Sequence, residues 1–217
     1  MTRPLRRVLV MGAGGHARVC IEALEDDPDN RVLGCISREG ASEGRASPIV
    51  GSDADLERVA AKLRATHVFV AIGDNHRRAM LTERCTDAGL RLVSAISRFA
   101  HVSPTAEIGG GVALLPGSLV NAAAVVHDGV VLNTNAAIDH DCVVGAFSHL
   151  APAATIAGEV TVGREVLIGI GAKVIPGVSI GDRAVIGAGS VVVHDVPSGM
   201  TVVGTPARPI KRSARRA

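Results

Sequence analysis

The sequence predicts an N-terminal α/β Rossmann-like domain with a small parallel sheet, followed by an all-β left-handed parallel β-helix. The first domain is indicated by alternating strand-like and helix-like segments, and the second by a strict six-residue repeat. A third observation is compositional: the 217 residues include three Phe but no Trp and no Tyr. The core must therefore be aliphatic, which favours a regular architecture with narrow, uniform slots. We place the domains at residues 1–98 and 99–217.

The second half of the chain repeats every six residues, in sixteen consecutive hexads over residues 102–197. Each first position is Val, Ile or Leu, and each fifth position is Ala, Val, Ser or Cys. An amphipathic helix would repeat every 3.6 residues and a half-buried strand every two. A triangular coil explains a repeat of six, because each hexad supplies one short strand and one corner. Three hexads then make an 18-residue turn, and turns stack about 4.8 Å apart.

The first half alternates between two kinds of segment. The strand-like segments are LRRVLVM, RVLGCIS, HVFVAIG and LRLVSAI, and the helix-like ones are HARVCIEALEDD, SDADLERVAAKL and NHRRAMLTERCTDAG. Ser52 is a candidate N-cap for the second helix, and the polar stretch at residues 37–48 is predicted to be a loop. This alternation predicts a small parallel sheet covered by helices.

Composition excludes several functional classes. A formal charge of +2 gives no strong attraction to nucleic acid, and no Trp or Tyr is available to stack on bases. No segment reaches the ~18 apolar residues of a membrane span. The four cysteines form no CxxC pair, so we expect no disulfide framework, no metal site and a reducing, cytoplasmic compartment.

A glycine turn lies between the first predicted strand and helix. Gly12, Gly14 and Ala17 match GxGxxA, in which helix N-terminal amides approach a diphosphate. NAD binding would need an acid after the second strand, where Ser37 and Arg38 stand, although an arginine there would suit the 2′-phosphate of NADP. The domain lacks a second mononucleotide half, so one nucleotide diphosphate fits better. A turn kept only for close strand–helix packing is the alternative.

His140 occupies the third position of its hexad, outside the two core positions, so we expect it to face outward. Gly158 follows 18 residues later and should stack beside it at about 4.8 Å. A base next to a backbone N–H suits acyl transfer. His149 is half a turn away, across the prism, so the two histidines can share a site only between neighbouring subunits. This predicts a homotrimer. A solvated His140 and a merely packed His149 remain alternatives.

Four strings together carry a family resemblance: GAGGHA, AIGDN, DHDCVVGAFSHLAPAATIAG and VVGTPARPIK. In this combination they resemble the sialic acid O-acetyltransferase-type family of hexapeptide-repeat sugar acetyltransferases. That family includes N-acetyltransferases acting on nucleotide-linked 4-amino-4-deoxy sugars. The resemblance extends from about Val8 to Lys211.

The resemblance implies roles for particular residues. His140 would be the catalytic base and Asp141 its orienting partner. The co-substrate acetyl-CoA would be bound by His149, Gly158, Ile170 and Gly171. The nucleotide sugar would be bound by Gly12, Gly14, Gly15, His16, Arg38, Asp74 and Asn75. Family members commonly carry Asp after the second strand, where this chain has Ser37, Arg38 and Glu39, so the nucleotide is left open between UDP and GDP.

We therefore expect a cytoplasmic, acetyl-CoA-dependent N-acetyltransferase that modifies a UDP- or GDP-linked 4-amino-4-deoxy sugar for surface glycan biosynthesis. An O-acetyltransferase for sialic acid or a related sugar is one alternative. A non-catalytic trimeric sugar-nucleotide-binding protein and an NADP-dependent protein are others. The basic C-terminal tail KRSARRA is a candidate contact for the phosphates of CoA.

Overall fold

The computed structural model describes residues 5–38 and 47–210. Most of the loop predicted at residues 37–48 and the whole basic tail lie outside these ranges. Within them, no helix is both long enough and apolar enough to cross a membrane.

The N-terminal domain contains one parallel sheet, as predicted, and the sheet has five strands. Its strands are β1 (Arg6–Met11), β2 (Asn30–Ser37), β3 (Ile49–Ser52), β4 (His67–Val70) and β5 (Arg91–Leu92), in the order β3-β2-β1-β4-β5. Its helices are α1 (Gly15–Glu25), α2 (Leu56–Leu63) and α3 (Asn75–Asp87), with a 3-10 turn at Asp53–Asp55 before α2. Ser52 is the N-cap of this turn, through a capping box with Asp55, whereas Asp55 is the N-cap of α2 itself. The cap predicted for the second helix therefore lies one 3-10 turn ahead of it.

The central strand β1 is buried on both faces, which explains its continuous apolar run. Val8 and Val10 lie in one cluster with residues of α1 and of the β-helix. Leu9 and Met11 lie in another with residues of α2. Each face of the sheet therefore has its own apolar cover.

Two segments of the N-terminal half differ from the sequence assignment. Strand β3 was not predicted, because four residues that include Gly51 and Ser52 carry little strand signal. The last predicted strand is two strands: β5 joins the sheet, whereas Ala95–Ile96 pairs with Ala113–Leu114 of the β-helix. Between these two strands, the hydroxyl of Ser94 accepts a hydrogen bond from the Val112 amide of the β-helix at 3.1 Å. The β-helix thus begins ahead of the predicted boundary at residue 99.

The second half is a left-handed parallel β-helix, as predicted. Strand residues pair with those 18 positions later, as Leu119 does with Ala137, except at the last parallel pairing, where Val185 pairs with Thr201. The first face comprises Ala95–Ile96, Ala113–Leu114, Val131–Leu132, His149–Leu150, Leu167–Ile168, Val185–Ile186 and Thr201–Val203, closed by antiparallel Arg208–Pro209. The second face comprises His101–Val102, Leu119–Val120, Ala137–Ile138, Thr155–Ile156, Lys173–Val174 and Val191–Val192. The third comprises Glu107–Ile108, Val125–Val126, Val143–Val144, Thr161–Val162 and Ser179–Ile180.

The corners between faces require a left-handed backbone. The fourth residue of every hexad from Gly111 to Gly189 has a positive φ. Gly tolerates this conformation best, yet several other residue types occupy the position: Ala123, Asp141, Phe147, Ala153, Glu159, Glu165 and Arg183. This conformation costs a non-glycine residue roughly 1–2 kcal/mol. The aliphatic core inside the prism must offset that cost.

The interior of the prism is filled by the first and fifth hexad residues, such as Ile138 and Cys142, both fully buried. The first face also carries the N-terminal domain: Ala113 and Val131 belong to the same apolar cluster as Val8. One face of the β-helix is therefore covered by the chain's own α/β domain.

We predict that Ile156→Ala lowers the free energy of unfolding by about 2–5 kcal/mol, because it leaves a cavity in the prism. The matched control Thr161→Ala removes an exposed side chain and should change it by less than about 0.5 kcal/mol. Urea denaturation of both variants at one protein concentration measures the difference. Equal effects of the two substitutions would contradict the assigned core.

Candidate active site

His140 and Asp141 form the corner between the second and third faces of the β-helix. They lie between strands Ala137–Ile138 and Val143–Val144. Asp141 adopts a φ of 57°, and its Oδ2 lies 2.8 Å from Nδ1 of His140. Both side chains are exposed to solvent. A carboxylate at Nδ1 leaves Nε2 as the nitrogen able to accept a proton from a substrate.

A second carboxylate fixes the backbone of this corner. Oδ1 of Asp139 accepts the amide N–H of His140 at 2.8 Å and the side-chain N–H of Asn121 at 2.9 Å. The hydrogen bond that His140 donates to Asp141, followed by the charge of Asp139, raises the pKa of His140 above its ordinary value. Sequence reasoning did not assign Asn121 or Asp139 a part in this site. The signal that could have found them is their offset of 18 residues, because residues one full turn apart stack next to each other in the β-helix.

Gly158 lies directly against the His140 ring. A Cβ built on Gly158 would come within 2.6 Å of Cε1 and 2.7 Å of Nε2 of His140. The stacking expected from the 18-residue period is therefore present in the structure. Among the described residues, none accepts a hydrogen bond from the Gly158 amide. A free N–H beside an imidazole is suited to stabilise negative charge developing on an acyl oxygen.

The glycine turn between β1 and α1 opens toward solvent. Gly12 has a φ of 112°, and a Cβ there would meet the Ala71 carbonyl oxygen at 2.7 Å, so this glycine serves close packing. At Gly14 and Gly15 a Cβ would meet nothing within 4 Å. Packing therefore does not demand glycine at these two positions. Gly14 is the N-cap of α1, and no side chain caps the helix there. The first amide N–H groups of α1 are therefore available to an anion.

Asp74 and Asn75, predicted to bind the nucleotide sugar, make structural bonds. Asp74 is the N-cap of α3 and accepts the Arg77 amide at 2.8 Å, although its side chain is otherwise exposed. Nδ2 of Asn75 donates to the carbonyls of Glu165 and Val166, both at 3.0 Å. The Asn75 amide therefore docks α3 onto the β-helix. Whether either residue also contacts substrate stays a prediction.

His16 and His149 face one another across the junction of domain and β-helix. Their ring centroids are 6.3 Å apart, with the planes inclined by 30°. Burial and, next, the charge of Arg78 lower the pKa of each to about 4. Both rings are therefore neutral at neutral pH. The structure brings these two predicted residues together, but it places neither beside His140 of the same chain.

The other predicted residues lie apart from these two centres. Arg38 is exposed at the end of β2. Ile170, whose side chain is 60% exposed, and Gly171 form the corner between the first and second faces. Their predicted contacts with acetyl-CoA remain predictions.

No group of three or more His, Cys, Asp or Glu side chains in the described part of the chain is arranged to hold a metal ion. Cys142, next to the His140 corner in sequence, points into the prism, and its thiol donates to the Ala157 carbonyl at 3.0 Å.

The fold and this corner define a class, the hexapeptide-repeat acyltransferases. Residues 159–194 match the family model described as bacterial transferase hexapeptide (six repeats). Residues 7–85 match the model described as the PglD N-terminal domain.

Solved structures narrow the class. PerB from Caulobacter crescentus, in complex with CoA and GDP-perosamine, is 41% identical with a TM-score of 0.89, over 94% of this chain and 97% of that one. The acetyltransferase domain of PglB from Neisseria gonorrhoeae is 35% identical with a TM-score of 0.90, over 94% of this chain and 100% of that one. WeeI from Acinetobacter baumannii is 26% identical with a TM-score of 0.84, over 94% and 100%. The chain belongs to the family of acetyl-CoA-dependent nucleotide-sugar N-acetyltransferases.

We predict that Gly158→Ala lowers turnover about 100-fold, because the added methyl displaces the His140 ring from its position. The fold should persist, since Gly158 does not have a left-handed φ. Thiol release from acetyl-CoA measures turnover.

The control is Gly110→Ala, at the same hexad position of another corner, where the nearest contact of the new Cβ is an ordinary 3.5 Å. Comparable losses in the two variants would contradict the role of the His140–Gly158 contact.

Proposed function

We propose that the chain transfers the acetyl group of acetyl-CoA to the amino group of a GDP-linked 4-amino-4-deoxy sugar, with His140 as general base. The observation that carries this proposal is the corner itself: an imidazole that is oriented by Asp141 and lies against Gly158, whose amide N–H has no acceptor among the described residues. The choice of GDP is supported by the similarity to PerB, which was crystallised with GDP-perosamine. A role in surface glycan biosynthesis belongs to the same proposal.

The residues present fit this reaction step by step. His140 Nε2 accepts the proton that the sugar amine loses as it attacks the thioester carbonyl. Asp141 stabilises the imidazolium that forms, and Gly158 donates its N–H to the developing oxyanion. Because a thiolate is a good leaving group, no strong acid is needed to release CoA. The pair of carboxylates around His140 raises its affinity for that proton.

The nucleotide diphosphate is proposed to bind the open turn of Gly14 and Gly15 at the N-terminus of α1. Loops after β1 and β4 flank the crevice at which the strand order of the sheet reverses, where open α/β sheets bind ligands. Arg38 lies at the same edge of the sheet, at the end of β2. The proposed nucleotide site is thus on the N-terminal domain, which covers the first face of the β-helix.

Two half-sites, the glycine turn of the N-terminal domain and the His140 corner of the β-helix, lie apart in one chain. Their positions support a homotrimer with active sites between subunits. In a triangular prism, the corner between the second and third faces lies opposite the first face. His140 is on that corner, whereas His16 and the glycine turn are on the first-face side of the same chain. A sugar held by one protomer's α/β domain therefore meets His140 of a neighbouring protomer, and acetyl-CoA is proposed to lie in the groove between them. Ile170 and Gly171, on a third corner, would line that groove.

A cytoplasmic location is part of the proposal. All four cysteines are free and buried, as in proteins of a reducing compartment.

The test of this function is thiol release from acetyl-CoA in the presence of GDP-, UDP- or dTDP-linked 4-amino sugars. We expect turnover with the GDP-linked sugar and an acetylated amine in the product by mass spectrometry. Absence of thiol release with every amino sugar would contradict the proposal.

We predict that His140→Ala lowers kcat by about 10²–10⁴-fold, because the proton acceptor is lost. The exposed side chain makes no core contact, so thermal unfolding should match the parent. His127→Ala, another exposed corner histidine, is the matched control and should keep parental kcat. Parental turnover in His140→Ala would refute the assignment.

The pH dependence of kcat/KM tests the role of Asp141. His140 must be neutral to act, so activity should rise with pH through the raised pKa of His140. Asp141→Asn removes the largest cause of the raised pKa, so the pKa of His140 falls. The increase in kcat/KM then occurs at lower pH and reaches a smaller plateau. Glu107→Gln, an exposed acid on the third face, should leave the profile in place. A profile that does not move in Asp141→Asn would contradict the pairing.

A further inference from the structure

Arg78 on α3 is the most deeply buried cation among the described residues, with 1% of its surface exposed. Burying a charged group is unfavourable unless its hydrogen-bonding atoms are satisfied. No carboxylate in the described parts of the chain lies within salt-bridge distance of it. Its charge must therefore be stabilised by dipoles, chiefly main-chain carbonyls.

The guanidinium bonds both structural units at once. Toward the N-terminal domain, Nη1 donates to two carbonyls of the turn after β4, and Nη2 donates to a side-chain oxygen of α3. Toward the β-helix, Nε and Nη2 donate to carbonyls at the corner between the third and first faces. The acceptors are Ile72 O at 2.9 Å, Gly73 O at 3.3 Å, Asn75 Oδ1 at 2.9 Å, Gly129 O at 2.8 Å, Phe147 O at 2.7 Å and Ser148 O at 3.4 Å.

These acceptors are next to the proposed substrate site. The turn that contains Ile72 and Gly73 follows Ala71, whose carbonyl oxygen is packed against Gly12 of the nucleotide loop. On the β-helix side, Ser148 directly precedes His149. One side chain thus fixes the distance between the nucleotide loop and the strand that carries His149.

The charge of Arg78 has a second consequence at this junction. It adds to burial in lowering the pKa of His16 and of His149. Two neutral rings can pack face to face, whereas protonation of either would place a second cation next to the guanidinium. Arg78 therefore stabilises the stacked pair as well as the backbone around it.

We propose that Arg78 is a positioning residue for acetyl transfer, whose guanidinium fork holds the nucleotide loop at one place on the first face. A sugar bound to that loop is then presented to the neighbouring protomer's base at a fixed distance. The inference rests on the proposed function. Lysine cannot reproduce it, because an ammonium lacks the planar fork that bonds several carbonyls at once.

The experiment compares Arg78→Lys with the parent and with Arg84→Lys, a half-exposed arginine on the same helix. For each protein, GDP affinity is measured by isothermal titration, kcat and KM by thiol release, and folding by circular dichroism. We expect Arg78→Lys to bind GDP as the parent does while kcat falls about 100-fold, since the nucleotide loop is intact but displaced. Arg84→Lys should retain parental values throughout.

A second variant covers the case in which Arg78→Lys does not fold. Arg78→Gln removes the buried charge and keeps a planar amide that can donate to only some of the same carbonyls. It should show the same pattern, a lower kcat at unchanged GDP affinity. Parental kcat in a folded variant, or GDP affinity that falls by the same factor as kcat, would overturn the inference. Failure of the proposed function itself would show as no thiol release by the parent protein.

Discussion

The 18-residue winding of the β-helix is the constraint on which the rest of the structure depends. An aliphatic residue every six positions must point into a narrow prism, so each chain segment has one allowed register. The corners are then forced into a left-handed conformation, including those occupied by Asp141 and Glu159. The same constraint that stabilises the fold places His140 on Gly158 and brings the Asp141 carboxylate to Nδ1. The site is rigid because the backbone that carries it has no alternative register.

The winding also explains why the glycine turn, where the nucleotide is proposed to bind, and the His140 corner are separated within one chain. The N-terminal domain covers the first face, and the His140 corner is on the opposite side of the prism. The glycine turn of the α/β domain and the His140 corner of the β-helix are built from different residues. Nucleotide recognition on the domain therefore does not constrain the arrangement of the groups around His140. In the proposed mechanism, catalysis then requires two protomers. Arg78 and Asn75 connect the two halves of one protomer, and in the proposed trimer they would set the position of the sugar relative to the neighbouring protomer's base.

Much of this architecture was predictable because it is periodic. The hexads determine the register, and the register predicts the contact between His140 and Gly158. The supporting pair of Asn121 and Asp139 follows from the same offset. By contrast, β3 and the two-strand character of residues 90–96 depend on tertiary pairing, which short segments do not encode locally. The buried Arg78 had no sequence signal, because an arginine on an amphipathic helix is ordinarily a solvent-facing residue. The docking role of Asn75 was hidden for the same reason.

A subunit-mixing experiment measures most directly whether the two half-sites belong to different protomers. Gly14→Asp places a carboxylate where the diphosphate is proposed to bind without a steric clash, and it leaves His140 intact. Combined with a His140-deficient chain carrying another tag, it should form mixed oligomers in which some sites have an intact half from each parent. Random assembly then restores roughly a quarter of parental activity from two inactive proteins. Mixed oligomers that remain inactive would show that the base and the nucleotide site act within one chain, contrary to the geometry of the prism.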